Sequence, residues 1–235
     1  MQGLQAVTFD FFNTLVSHRR GGRGRGSLLM EYLRSQGLES DPWEHQVLYD
    51  IFEPHAREYA PDRSPVEKHR YLCRLAERVF DRLSVRADIH EAQHHAVRIW
   101  EVIGPTSLAV FPDVPLTLER LRAAGYQLAV VSNWQCGLQH FCVELGIGDL
   151  FEHVVGSAEI GYAKPRREIF EEACRRLGAP PHRVLHVGDT LEDDVEGARG
   201  AGMHAVLITR QGEDAELTGA GIRGLEGVLQ MLGLS

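Results

Sequence analysis

The stretch Val7-Thr8-Phe9-Asp10-Phe11-Phe12-Asn13-Thr14-Leu15 is an apolar run ending in one carboxylate, with a turn-prone Asn-Thr pair close behind it. Three more polar constellations follow in order: Val130-Val131-Ser132-Asn133, Tyr162-Ala163-Lys164-Pro165, and His186-Val187-Gly188-Asp189 with Asp193 and Asp194. An aspartate at a strand end can act as a nucleophile, forming an ester that water later cleaves, which splits one hard step into two. Attack on an anionic centre brings like charges together, so cations must stand close. Lys164 supplies one, and a metal held by Asp10 and Asp189 supplies another; hard oxygen donors with room for water suit Mg²⁺. Ser132 and the Asn133 backbone stand where they can donate hydrogen bonds to transferring oxygens. Taken singly, each group has a plainer use: turn formers at Asp10 and Ser132-Asn133, a solvated Lys164, helix-start acids at Asp189 to Asp194. Four of them in chain order, each at a strand's carboxyl end, is the placement of a ligand site in an open α/β sheet.

The elements that must position these residues alternate after residue 110. Helices are predicted over 116–124, 138–145, 166–177 and 193–201, and strands over 126–131, 151–155, 183–187 and 204–208, with glycines 125, 146 and 178 as helix stops. Such alternation implies βαβ units and a parallel sheet. Between the first strand and residue 107 only helical signals appear. Ser64-Pro65-Val66-Glu67 is a capping box, Asp41-Pro42-Trp43-Glu44 repeats that start signal, and 87–103 reads as one further helix. The expected architecture is a doubly wound α/β core (1–18 and 108–235) with an α-helical cap (19–107) inserted after the first strand. A cap of that kind can close over strand ends and exclude water.

Ser17 to Gly26 is the one low-complexity piece, with four Arg among four Gly right after the turn. It reads as a solvated hinge, as a substrate-capturing loop whose Arg19 and Arg23 grip an anion, or as a weak RNA contact. Of 25 basic residues only Lys68 and Lys164 are lysine. Lysine is a compact point charge where arginine is a planar fork, so Lys164 stands out in a chain that writes Arg almost everywhere.

A quarter of the 235 residues are charged and 43% are apolar, and the net charge of −8 offers no general attraction to nucleic acid or anionic membrane. No apolar segment approaches 18 residues, so no membrane span is expected. Four cysteines without a CxxC pair, and an N-terminus without a signal-like apolar run, point to reduced thiols in a cytoplasm. A monomer or homodimer is expected.

FDFFNTL, VVSN, GYAKPRREIF and HVGDTLEDDVEGARGAGM resemble motifs one to four of the haloacid dehalogenase superfamily, and Phe111-Pro112-Asp113-Val114 resembles its return from cap to core. The resemblance implies a Rossmann-like subfamily I core with a helical cap of type C1. It implies a hydrolase, a phosphatase acting on a small phosphorylated or otherwise anionic substrate, with Asp10 as nucleophile and Mg²⁺ as cofactor. Ser132 and Lys164 would steady the substrate's oxygens, and Phe11, Phe12, Thr14 and Asn133 would line it. Asp189, Asp194 and the Phe12 carbonyl would join Asp10 as metal ligands. One position departs: the phosphatases carry a second Asp where Phe12 stands, and losing a general acid/base of that kind costs about 10²–10⁴ in rate. An aromatic residue there is also the pattern of the metal-independent dehalogenases. Two alternatives therefore stay open: a dehalogenase-like hydrolase acting on carbon, and a binding or regulatory protein that keeps the site without turnover. A receiver module, which also joins carboxylates and a Lys on a parallel sheet, is too short to explain the inserted helices.

Two further patterns compete for attention. His90-Glu91-Ala92-Gln93-His94 matches H-E-x-x-H, yet six of twelve histidines lie between residues 45 and 95 and no third ligand follows at the usual spacing. Lys68 falls in the first turn of a helix, either snorkelling there or facing the core as a Schiff-base lysine. Trp43 and Trp100 read as cap core.

Overall fold

The computed structural model describes residues 3–18, 25–42, 51, 65–104, 107–134, 137–210 and 221–234. The chain divides into two compact units, one of residues 1–17, 110–134 and 147–235, the other of 18–109 and 135–146.

The first unit is built on a five-stranded parallel sheet: β1 (Ala6–Phe9), β4 (Gln127–Ser132), β5 (His153–Gly156), β6 (Val184–Gly188) and β7 (His204–Leu207). Its order is β5-β4-β1-β6-β7, so the chain winds outward on one side of β1 and then crosses to the other. That is the expected doubly wound arrangement, and its switch point is the crevice at the carboxyl ends of β1 and β6. Every residue of β1 and β6 is buried, which is why both read as near-continuous apolar runs. The helix Arg167–Leu177 lays Ile169, Phe170, Ala173, Cys174 and Leu177 into one core cluster with Ala6, Ala129, Val131 and Val155 of the strands. Gly178 ends that helix at φ 64°, a left-handed position that favours glycine. The predicted helix over 193–201 starts earlier and differently, as a wide π-helical turn at Leu191–Glu196 followed by Gly197–Gly200. Two short strands the sequence did not announce, β2 (Val16–His18) and β3 (Leu108–Val110), pair in a separate two-stranded sheet.

An ion pair with little exposure to solvent braces this unit. Arg210 donates to both oxygens of Asp113 (2.7 and 2.6 Å) and, through Nε and a second guanidinium nitrogen, to the Thr14 carbonyl (3.0 and 2.5 Å). Its guanidinium lies 4.1 Å over the Phe111 ring, and Asp113 also accepts the Leu225 amide at 2.7 Å. Three distant segments thus meet on one planar cation, whose fork geometry no lysine reproduces. Arg210→Ala leaves the Asp113 carboxylate uncompensated and is expected to cost about 3–5 kcal/mol. Urea unfolding measures this, and Arg210→Lys should recover little of it.

The second unit is helical. Among the described residues its named helices are α1 (Arg25–Ser35), α2 (Pro65–Arg82), α3 (Ile89–His94), α4 (Ala96–Ile103) and α6 (Leu138–Glu144), the helix Val114–Ala123 of the first unit being α5. Leu29, Leu33, Leu75, Ile99 and Ile103 are fully buried, and Trp100 is buried beside Tyr71 with rings 5.8 Å apart. Pro65 opens α2, as the capping box predicts. The single helix predicted over 87–103 is broken instead: Asp88 caps α3, and His95 interrupts the run before α4. The break turns His95 inward, where Nδ1 meets the Tyr32 hydroxyl at 2.5 Å and the ring stacks on Phe80. Residues 135–146, read from sequence as part of the α/β core, belong to this unit. The Arg-Gly stretch is also shorter than its composition suggests, because Arg25 and Gly26 already form the first turn of α1 and His18 ends β2.

Arg19, Arg23, Trp43 with its helix start, Ser64 and the Lys68 side chain lie outside the described residues. Cys73, Cys142 and Cys174 are buried. Among the described residues no helix is long and apolar enough to cross a membrane.

Candidate active site

Asp10 directly follows β1, and its amide donates to the Val187 carbonyl of β6 at 2.8 Å. The chain then reverses at once, with the amides of Leu15 and Val16 both donating to the Phe11 carbonyl (2.9 and 3.1 Å). Asn13 makes that reversal possible at φ 57°, a region asparagine tolerates better than most residues. Its side chain then hydrogen-bonds Asp189, so one residue serves both the turn and the site.

Ser132, the last residue of β4, donates its hydroxyl to Asp10 Oδ1 at 2.8 Å. Lys164 Nζ donates to the same oxygen at 2.6 Å and to Asp194 Oδ1 at 2.5 Å. The Lys164 side chain is only 3% exposed, so this is an ion triad removed from water. The Asn133 side chain holds Lys164 from behind: its amide nitrogen donates to the Lys164 carbonyl (3.0 Å) and its oxygen accepts the Lys164 amide (2.6 Å). Asn133 therefore spends its side chain on the backbone of Lys164.

Asp194 is the most heavily bonded carboxylate. Its Oδ2 accepts from the Thr190 amide (2.9 Å) and hydroxyl (2.7 Å), while Oδ1 faces His186 Nε2 at 3.1 Å besides Lys164. The π-helical turn brings this about, since its extra width swings Asp194 back onto the amide of Thr190, the residue before the turn.

Electrostatics follow from this crowding. Asp10, Asp189 and Asp194 each offer an oxygen within 4.8 Å of the others. Burial, helped by the Asp194 charge, raises the Asp10 carboxyl above its ordinary range although Lys164 and Ser132 pull the other way. Burial and the charges of Asp10 and Asp194 push Asp189 up to about 6. Burial would raise Asp194 too, but the His186 hydrogen bond and the Lys164 charge hold it far below. Burial alone would lower Lys164, yet the two carboxylates raise it, so it stays an ammonium. One lysine against three carboxylates leaves negative charge in excess.

Phe11 is fully buried with its ring edge-on to Trp134 at 4.9 Å, and Thr14 is fully buried too. Neither side chain, read from sequence as lining a substrate, faces solvent. Phe12 is half-buried, its ring 6.4 Å from that of Trp134 at 30°. The sequence reads Asn13 only as a turn former and gives Thr8, Thr190 and His186 no role of their own, although a polar residue inside an apolar strand marks both Thr8 and His186. His90, Glu91 and His94 of the H-E-x-x-H match are exposed, and among the described residues no second group of three such side chains gathers its ligand atoms as Asp10, Asp189 and Asp194 do.

The chain is 33% identical to glyceraldehyde 3-phosphate phosphatase of Methanopyrus kandleri over 88% of its length and 84% of that protein's. It is 42% identical to the protein of the same name from Methanothermobacter thermautotrophicus, over 46% of this chain and about half (49%) of that one. The crystal structure of 2-haloacid dehalogenase from Pseudomonas syringae superposes with a TM-score of 0.62 at 27% identity, covering 98% of each chain. A family model described as haloacid dehalogenase-like hydrolase matches residues 4–202, a span that runs from β1 through the π-helical turn and takes in every carboxylate around Lys164. Fold, site and match agree, and this chain belongs to the haloacid dehalogenase-like hydrolases.

Proposed function

We propose that the protein is a Mg²⁺-dependent phosphatase of a small phosphorylated metabolite, with Asp10 as nucleophile. The observation that carries this reading is the Asp10 carboxylate at the sheet's switch point, with Ser132 and Lys164 both donating to one of its oxygens. Donors fixed around one oxygen leave the other free to attack. The Asp10 oxygen adds to phosphorus, the bond to the leaving alkoxide breaks, and the alkoxide takes a proton from water. A second water then cleaves the aspartyl ester, releasing inorganic phosphate and restoring the carboxylate. Lys164 and Ser132 stabilise charge on the phosphoryl oxygens, which is where preorganised donors act most strongly.

The residues present fit Mg²⁺. The cluster is made of hard oxygen donors, and Asp189, raised first by burial and then by the Asp10 and Asp194 charges, stands among negative charge that a cation would relieve. Asp10, Asp189 and the Phe12 carbonyl would hold the ion, with Asp194 adding charge while its oxygens serve Thr190, His186 and Lys164. Bound there, Mg²⁺ would supply Lewis-acid stabilisation of the phosphoryl group. The name shared by the two relatives, glyceraldehyde 3-phosphate phosphatase, supports a triose-phosphate type of substrate.

A second reading, hydrolysis at carbon without metal, draws on the Phe12 and Trp134 rings standing beside the nucleophile turn. One assay separates the two: aryl phosphate hydrolysis with Mg²⁺ or chelator, beside halide release from a 2-chloro carboxylic acid. We expect phosphate release that needs Mg²⁺. Halide release that ignores chelator, without phosphatase activity, would establish the second reading instead.

A further inference from the structure

Two polar side chains in the most buried layer of the sheet have no part in the chemistry just described. Thr8 and His186 are register partners on the adjacent strands β1 and β6, and both are 0% exposed. All their neighbours along those strands are apolar or glycine. Burying two polar groups there carries a desolvation cost that only satisfied hydrogen bonds offset.

The bonds they make run in one direction. Thr8 Oγ1 lies 2.9 Å from His186 Nδ1, and His186 Nε2 lies 3.1 Å from Asp194 Oδ1. An ionised carboxylate only accepts, so Nε2 carries the proton, and the Thr8 hydroxyl satisfies Nδ1. The Phe170 ring stands edge-on to the imidazole at 5.2 Å and fixes its plane. On the far side, a Cβ on Gly188 would come within 2.1 Å of Asp194 Cγ, so the backbone of β6 presses directly on the carboxylate. Asp194 is therefore fixed by Thr190, His186 and Gly188 before it meets Lys164. His186 and Lys164 bond the same oxygen of Asp194, so turning that carboxylate moves the partner on which the lysine rests.

We propose that His186 is a positioning residue for Lys164. Its Nε2–H, required by the accepting carboxylate and matched by the Thr8 hydroxyl at Nδ1, sets the Asp194 carboxylate, and Asp194 in turn presents Lys164 Nζ to Asp10. A lysine on a four-carbon stem has no geometric preference of its own, so its aim comes from the groups that receive it. The consequence for turnover rests on the phosphatase reading above; the placement of Lys164 does not.

The test compares His186→Gln, His186→Leu and Thr8→Val with wild type. The terminal amide of Gln reaches the place of Nε2 and can donate there, whereas Leu fills similar space without a donor. Because Lys68 and Lys164 are the only lysines, ¹⁵N-lysine labelling reports Lys164 almost alone, and Lys68→Arg removes the other signal. A slowly exchanging Lys164 ammonium signal is expected in wild type and in His186→Gln, and its loss in His186→Leu. With Mg²⁺ and an aryl phosphate, kcat should fall about 10–100-fold in His186→Leu and return to within a few-fold in His186→Gln. Imidazole ¹⁵N shifts should show the Nε2–H tautomer in wild type, and in Thr8→Val a changed Nδ1 shift, because that acceptor loses its hydrogen bond. An unchanged Lys164 signal in folded His186→Leu, equal losses in the Gln and Leu variants, or an Nδ1–H tautomer in wild type would overturn the proposal. Should His186→Leu fail to fold, the Gln variant, Thr8→Val and the wild-type tautomer decide it. No phosphate turnover in wild type would defeat the phosphatase reading, while the two NMR readouts would still judge His186.

Discussion

Lys164→Met is expected to lose about 3–5 kcal/mol of stability in chelator, the usual cost of removing one partner from a buried ion pair. Lys164 Nζ sits between Asp10 Oδ1 and Asp194 Oδ1 at 2.6 and 2.5 Å with its side chain 3% exposed. Methionine fills the space of the stem but brings no charge, and three carboxylates with oxygens within 4.8 Å are left to repel one another. The folded-state pKa of Lys164 is raised, so its contribution is complete below the ordinary lysine value and fades only as pH climbs through the folded one. At pH 7 the loss should therefore be read in full. Lowering the pH toward 4 should narrow the gap between variant and wild type, because protonated carboxylates no longer need the cation. Lys164→Arg should recover only part, since a planar fork does not fit a site built for a point charge. Urea unfolding in chelator at pH 7 and pH 4 measures all three. A variant within 1 kcal/mol of wild type at pH 7 would mean that the triad is not balanced as its geometry implies.

Why Lys164 could be picked from sequence while His186 could not is a matter of range. The strand ends announce themselves locally: an apolar run stops and a polar residue follows, as at Asp10, Ser132 and Asp189. Their convergence needs only the rule that parallel strands present their carboxyl ends together. Partnerships between distant residues carry no such local mark. Arg210 is one arginine in an arginine-rich chain until Asp113, Thr14 and Phe111 gather on it. Thr8 and His186 are 178 residues apart, and nothing in either strand names the other before β1 and β6 are laid side by side. The π-helical turn at Leu191–Glu196 was invisible for a related reason. Its acids suit a helix start, and nothing local marks the wider turn that sets Asp194 against the Thr190 amide. Phe11 and Thr14, which adjoin the nucleophile, are fully buried, and nothing in their local sequence separates them from the half-buried Phe12 between them.

Asp10→Asn should abolish turnover, by at least about 10⁴-fold, because an amide oxygen cannot form the ester on which the two-step route depends. The same substitution should not weaken the fold in chelator. Asn keeps an oxygen to accept from Ser132 and Lys164, as Asp10 Oδ1 does at 2.8 and 2.6 Å. It also takes away one of three clustered negative charges. The sign can be followed through the Asp10 carboxyl, whose folded-state pKa is raised chiefly by burial. Such a group favours the fold while protonated and costs stability as pH rises from the ordinary carboxylate value through the folded one. The variant should therefore match wild type at low pH and equal or exceed it at pH 7. Adding Mg²⁺ should reverse the order, since wild type then gains binding free energy from a ligand set that the variant has lost. Paired urea unfolding curves, in chelator and in Mg²⁺, alongside aryl phosphate kinetics, test each arm. Residual turnover in the variant would remove Asp10 as nucleophile, and a several-kcal/mol loss in chelator would make it a structural group. The expected crossing, with the variant firmer without metal and weaker with it, is what a site leaves when charge repulsion is retained for the sake of a nucleophile and a cation.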